Sequence, residues 1–486
     1  MKGVNMRIFL AVSWLTIGFL AMSLFSVPVR DVSAKDDELN IQLKKMEEMM
    51  QQQQIMIDDL KTRIEIREEV DLTSLTAVDE GIIGEKVDDY FQKSEGKGIW
   101  SELMDRPKLG YKKGFYFETN DKKFSMKING RLQFRYSYED RDNVHDSDEQ
   151  QDDSSFRLRR ARVKFSGNAY EHFKYKIELA LASTGTVDGS KAAELYDFYA
   201  SWNKNKALSV QFGQWKVPWN RQRVVSSQNL QLIDRASSQD EFTMDRQIGV
   251  MLHGKLFNKK FEYYTGVFNG NARNQSSNGN NENLFIARAT WNPFGAYGKG
   301  IGEVESDINF SEKPIAHLSA AIAYDGAADR EKFDSTTIDL DAPVGTGVTL
   351  KEVNKTSVVA EYGLKYRGFS TNAEAYWRRF DDIRANNIDS VGSGVIIDRG
   401  FFVQGGYFIM PKKLEVAGRY SLVDFDDERD EDAVRETTLG LSWFINETHD
   451  NKLQINWVRQ DNELPNSASR SDDIDYAYRL QYQIAF

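Results

Sequence analysis

The chain has no cysteine among its 486 residues. That excludes a disulfide framework and any thiolate metal site, and it fits export through an oxidising compartment. Proline is scarce at 8 residues, whereas glycine, at 34, is near an average share. Beyond the N-terminal region no apolar run reaches the length of a membrane-crossing helix, so a helical membrane bundle is excluded. An excess of base is missing too: the formal net charge is -11 and the pI about 5.3. This balance argues against a nucleic-acid partner. Only five histidines occur, His145, His172, His253, His317 and His449, and none has metal-ligand spacing. There is no Gly-x-Ser-x-Gly elbow and no phosphate-cradling glycine loop. The sequence thus carries no catalytic signature and implies no metal and no cofactor.

What is present begins with an export signal. Lys2 and Arg7 precede an apolar run over 8–27, and Val32-Ser33-Ala34 supplies small residues for cleavage. Residues 1–34 read as a signal peptide; the alternative is an uncleaved inner-membrane anchor. Next, Leu39, Leu43, Met46, Met50, Gln53, Ile57, Leu60 and Ile64 repeat at alternating steps of four and three. That is a heptad seam, so 35–69 reads as a periplasmic coiled coil that joins chains. Cell-wall contact through this helix is one role; trimerisation alone is another, and an amphipathic helix docked on its own domain is the third reading. Residues 70–113 hold no sustained period and read as a linker.

The body, 114–486, alternates. Its last stretch, 473–486, puts Ile474, Tyr476, Tyr478, Leu480, Tyr482, Ile484 and Phe486 on one face of a strand. Residues 124–138 put Lys127, Arg131 and Arg135 on the face opposite Phe124, Met126, Ile128, Leu132 and Phe134. A cation facing lipid at mid-bilayer costs about 2–4 kcal/mol, so in a membrane barrel the apolar face looks out and the basic face in. A soluble sandwich would reverse this. Turn pattern decides between them. Strands are expected at 124–138, 155–168, 172–183, 193–203, 206–215, 246–257, 260–269 and 283–292. They continue at 314–324, 355–367, 369–381, 399–410, 414–423, 433–445, 452–460 and 473–486. Short turns alternate with long loops, except at 293–313, which reads as a long inner-side linker. The expected fold is all-β: a transmembrane antiparallel barrel of about sixteen strands, closed by pairing 473–486 with 124–138. A barrel that wide holds water rather than side chains. Tyr138, Trp202, Trp215, Trp291, Trp443 and Tyr478 are expected in its interfacial girdles.

The wall chemistry is basic on three adjacent strands. Lys127, Arg131 and Arg135 are joined by Arg160, Arg162 and Lys164, then by Lys174 and Lys176. Strict alternation sends Arg157 and Arg159 outward, tolerable near the outer rim. A basic wall favours anions. The alternative is a structural lattice with lumen acids such as Glu178, Asp197, Glu361 and Glu415. The segment 216–245 is too long and too apolar to sit in water. It is expected to fold into the channel, bringing Arg221, Arg223 and Arg235 to a constriction; the alternative is a cover over the outer rim.

These residues resemble the phosphate-selective porin O and P family over 110–486. The carriers are Gly114-Phe115-Tyr116-Phe117-Glu118, Lys127-Ile128-Asn129-Gly130-Arg131-Leu132-Gln133 and Phe156-Arg157-Leu158-Arg159-Arg160-Ala161-Arg162-Val163. Gly213-Gln214-Trp215-Lys216-Val217-Pro218-Trp219, Ile233-Asp234-Arg235 and Asp245-Arg246-Gln247-Ile248-Gly249-Val250 add to them. The resemblance implies a homotrimeric sixteen-stranded porin in a Gram-negative outer membrane; the coiled coil lies outside the matched stretch and reads separately as a periplasmic stalk. It also implies a constricting third loop and an assembly signal at the C-terminal aromatic, Phe486. Small hydrophilic or anionic solutes would diffuse through it, phosphate among the candidates. A tether to the cell wall with a non-selective pore is the competing reading. Gln222 stands where the pattern leads one to expect an acid.

Overall fold

Side chains alternate across a pleated strand, so a closed sheet sorts its residues into an inside and an outside. The computed structural model describes residues 107–140, 152–182, 193–270, 272–275, 282–328, 350–385, 395–425, 433–462 and 473–486. The expected signal peptide and coiled coil, and linker residues 70–106, lie outside the described residues. The strands are β1 (Lys108–Tyr111), β2 (Phe115–Glu118), β3 (Phe124–Asp140), β4 (Asp153–Ala169), β5 (Phe173–Ala180) and β6 (Glu194–Asn205). Then come β7 (Leu208–Lys216), β8 (Arg246–Leu256), β9 (Phe261–Phe268), β10 (Leu284–Trp291), β11 (Ile315–Ala328) and β12 (Leu350–Tyr366). The last are β13 (Phe369–Ala385), β14 (Ile396–Met410), β15 (Leu414–Asp424), β16 (Val434–Phe444), β17 (Asn451–Asn462) and β18 (Asp473–Ala485).

From β3 onward each strand pairs antiparallel with the next, and β18 returns to β3 with Tyr482 opposite Phe134 and Gln481 opposite Arg135. The result is a closed sixteen-stranded barrel. Leu132, Phe134, Leu480 and Ile484 face out, while Arg131, Gln133, Arg135, Gln481 and Gln483 face in and are buried.

Three local features depart from simple alternation. On β4 the register slips between Gln133 and Phe134: Gln133 faces Arg160, but Phe134 faces Leu158. Arg159 is therefore the extra residue of a β-bulge, which restores inward parity to the residue two places before it. Phe156 (71% exposed) and Leu158 (52%) look outward. Arg157 lies opposite Arg135 on the lumen side, and Arg159 reaches the inner carboxylate of Asp234. The outward placement of Arg157 and Arg159 is thus corrected. On β7, Gly213 adopts φ 120, a left-handed value that breaks the pleat. Trp215 turns inward instead of joining a girdle and packs edge-on against Phe268 at 5.4 Å between centroids. Lastly, Lys108–Tyr111, expected in the linker, pairs with Phe115–Glu118 as a hairpin. Four residues are too few to show a period.

That hairpin sits at the barrel seam. β2 pairs with the first residues of β3, Phe115 opposite Ile128. β18 pairs with β3 only as far as Ala485 opposite Arg131. Hairpin and C-terminus therefore occupy the same edge of β3, end to end. Phe486 exchanges two backbone hydrogen bonds with Gly130, both 3.0 Å. A Cβ on Gly130 would lie 2.1 Å from the Phe486 ring. Gly130→Val must expel that ring, and the expected loss is about 1–3 kcal/mol. The urea midpoint of the barrel in detergent should fall accordingly; an unchanged midpoint would show that the ring does not support the seam.

Candidate pore and its constriction

Residues 217–245, between β7 and β8, lie inside the barrel. The segment holds two short helices, α1 (Arg221–Val224) and α2 (Ser237–Glu241). Backbone taken out of water must find partners, and the wall supplies both signs. Carboxylates accept backbone N–H groups: Glu361 from Arg221 at 2.9 Å, Glu374 from Gln222 at 2.6 Å and Glu436 from Ser237 at 3.2 Å. Cations donate to carbonyls: Arg288 to Trp219 at 2.8 Å, Lys452 to Leu230 at 2.8 Å and Arg419 to Asp234 at 2.9 Å. Apolar residues fill the gap. Val217, Trp219 and Phe242 of the segment pack with Trp215, Phe268, Leu284 and Ile286 of the wall. Part of the lumen is therefore a solid core, which explains why β10 carries apolar residues on its inner face.

The far edge of the segment reaches β3. Arg131 donates to Ser226 Oγ at 2.9 Å, and Gln133 donates to the Ser227 carbonyl at 3.2 Å. Asp234 receives Arg135 at 2.8 Å, Arg479 at 3.1 Å and, at 3.9 Å, Arg159. The segment thus covers the wall from β10 round to β3. It leaves the β4–β8 arc, and there the basic ladder stands.

On β3 and β4 the rungs follow the register: Asn129 opposite Lys164, Arg131 opposite Arg162, Gln133 opposite Arg160, Arg135 opposite Arg157. Successive rungs rise about 7 Å. Lys127, opposite Ser166, and the exposed Lys174, opposite Asn168, mark the end of the barrel where β4 and β5 join by a short turn. Part of the ladder is a lattice. Arg162 bonds Glu178 at 2.9 Å, and Lys176 bridges Glu178 and Asp197. Four cations differ: their hydrogen bonds go to uncharged oxygens. Arg131 uses Ser226 Oγ, and Arg160 uses Gln133 Oε1 at 3.0 Å. Lys216 uses the Arg223 and Val225 carbonyls at 2.6 and 3.2 Å, and Arg235 uses those of Gln222 and Val225 at 2.9 and 2.8 Å. Arg131, Arg160 and Arg235 are each at most 9% exposed, and among the described residues no carboxylate is a hydrogen-bond partner of the four.

Of the three arginines expected at the constriction, Arg223 and Arg235 lie at this face of the segment. Arg223 pairs with Asp245 at 2.7 Å. Arg221 does not: it is buried on the opposite side, donating to Asn372 at 2.7 Å and to the Glu303 carbonyl at 2.8 Å.

Residues 126–486 match the family described as phosphate-selective porin O and P. The chain belongs to this family. Porin O of Pseudomonas aeruginosa is 31% identical over 117 residues, 24% of this chain and 25% of that protein; the chain thus matches only about a quarter of that relative's length. The outer membrane channel DcaP of Acinetobacter baumannii is similar at 14% identity over 76% of this chain and 99% of that one, TM-score 0.48. OmpT of Vibrio cholerae is similar at 12% identity over 74% and 97%, TM-score 0.47.

In this porin several residues of the inner wall escape a reading of sequence alone. Tyr196 is the extra residue of a second bulge, since Glu178 faces Asp197 while Leu179 faces Leu195. The guanidinium carbons of Arg162, Arg246 and Arg273 lie 4.3, 4.5 and 4.6 Å from its ring centroid. Arg246 also bonds Asp197 at 2.6 Å. In the sequence, its place in the Asp245-Arg246 motif alone points to it. Asp234 is the hub that balances the upper ladder. Burial alone would raise its carboxyl, but Arg135 and Arg479 outweigh burial and hold it well below the usual carboxylate range.

Asp234→Asn should destabilise the seated segment by about 3–5 kcal/mol, because Arg135 is left buried without its counter-ion. The sign with pH follows from the depressed folded-state value. The carboxylate's contribution is complete above the unfolded pKa of about 3.9 and is lost as pH falls through the folded value. Denaturation of wild type and Asp234→Asn should therefore differ equally at pH 7 and at pH 5, and converge only in stronger acid. Convergence already at pH 5 would refute the pairing.

Proposed function

We propose that this porin is an anion-preferring diffusion channel for small hydrophilic solutes, with phosphate-sized oxyanions among them. The observation that carries the reading is the set of Arg131, Arg160, Lys216 and Arg235, whose hydrogen bonds end on uncharged oxygens. Fixed cations beside a narrow aqueous path concentrate anions and raise the barrier for cations. The lattice of Arg162, Lys176, Glu178 and Asp197 adds rigidity more than charge, since each cation there has its acid. Family membership supports a porin; the name of the relative Porin O and the family description support phosphate as the solute to test first.

The working unit in this reading is a homotrimer in the outer membrane. The N-terminal residues lie in the periplasm, where 35–69 serve as an assembly stalk.

The test is the reversal potential of the purified porin in a potassium chloride gradient. An anion-selective value is expected, and Arg160→Glu should move it toward the cation side. Added inorganic phosphate should lower the chloride current in a saturable way. A cation-selective wild type would overturn the proposal; an anion-selective channel indifferent to phosphate would remove phosphate from it.

A further inference from the structure

The connection between β10 and β11, residues 292–314, is on the periplasmic side, where such turns are short. Here it climbs into the lumen. Glu305, Ser306 and Asp307 are each at most 1% exposed. Glu305 is the contact point. One of its oxygens accepts from Gln222 Nε2 at 3.2 Å; the other accepts from the Gln231 backbone N–H at 2.8 Å and from Gln404 on β14 at 3.1 Å. Arg221 clasps the same connection from above through the Glu303 and Val304 carbonyls at 2.8 and 3.1 Å. Below, Asp307 accepts the Gly368 N–H at 2.8 Å, and Phe310 packs on Phe408 at 5.6 Å between centroids. This also accounts for Gln222: an acid there would face Glu305.

We infer that this connection is a periplasmic buttress, the second half of the constriction. It seats the inward segment from below and, with it, closes the β10–β16 side of the lumen. Solutes then pass only along the β4–β8 arc. The closed side is where Glu361, Glu374, Glu415 and Glu436 are buried; the open side bears the ladder. Arg221 and Glu305 are positioning residues, since neither faces the path. The inference deepens the channel reading but does not rest on the sign of its selectivity.

The experiment is single-channel recording on the full-length protein in planar bilayers. Glu305→Ala and Arg221→Ala should each raise conductance at least twofold, with added open-channel noise, as electrolyte enters the second half. Wild-type conductance and noise in both variants would overturn the inference. The anion reading fails separately, on the wild-type reversal potential. A second measurement does not require the weakened variants to form channels of normal yield. The chain has no cysteine, so Ser306→Cys carries a single thiol. A charged, membrane-impermeant thiol reagent should leave it unmodified in the native channel and label it once Arg221→Ala is added. Rapid labelling without Arg221→Ala would overturn the inference as well.

Discussion

A stretch of polypeptide inside a barrel is stable only if its own backbone finds donors and acceptors there. In this porin the wall meets that need with charge. Glu361, Glu374 and Glu436 take N–H groups of the inward segment, and Arg288, Arg419 and Lys452 take its carbonyls. Charged partners make stronger hydrogen bonds than neutral ones, and a buried charge is itself tolerable only when so paired. The dependence is mutual. Without the segment the wall would present an acid-rich, hydrated surface; without the wall the segment would have no conformation to keep.

This arrangement divides the lumen by chemistry. One side is spent on holding structure, with acids and bases matched and an apolar core between Trp219, Phe242 and the wall. The other side keeps cations whose partners are hydroxyl, amide and carbonyl oxygens. A net charge of -11 over the chain therefore says little about this side, where the described acids Glu178, Asp197 and Asp245 are each held in ion pairs.

Much of the barrel was legible in the sequence. A strand with Lys127, Arg131 and Arg135 on one face and Leu132 and Phe134 on the other has one stable orientation in a membrane, and closure through 473–486 follows from its matching face. Bulges are not legible, because alternation assumes one residue against one; strict alternation therefore misplaces Arg157 and Arg159 and gives no sign of Tyr196. Trp215 was misassigned because tryptophan suits both a lipid interface and a packed core. Arg221 and Arg223 are two residues apart, yet the short helix between them sends one to the wall and the other to the path. Residues 293–313 read as a long inner-side linker, and its acids have no visible partners until the fold brings Gln222 and Gln404 to Glu305.

The bulge at Arg159 has a meaning beyond placement. In a barrel wall the face a side chain shows depends on whether the count of residues before it is odd or even. One inserted residue changes that count for part of a strand and leaves the rest of the wall untouched. If Arg159 were drawn into regular pairing, the residues before it would change face and Arg157 would turn toward lipid; if Arg159 were deleted, the bulge would vanish and Arg157 would keep its inward place opposite Arg135. An insertion or deletion that no bulge absorbs thus acts here as a charge mutation, and comparison of related channels residue by residue, without attention to parity, would miss it.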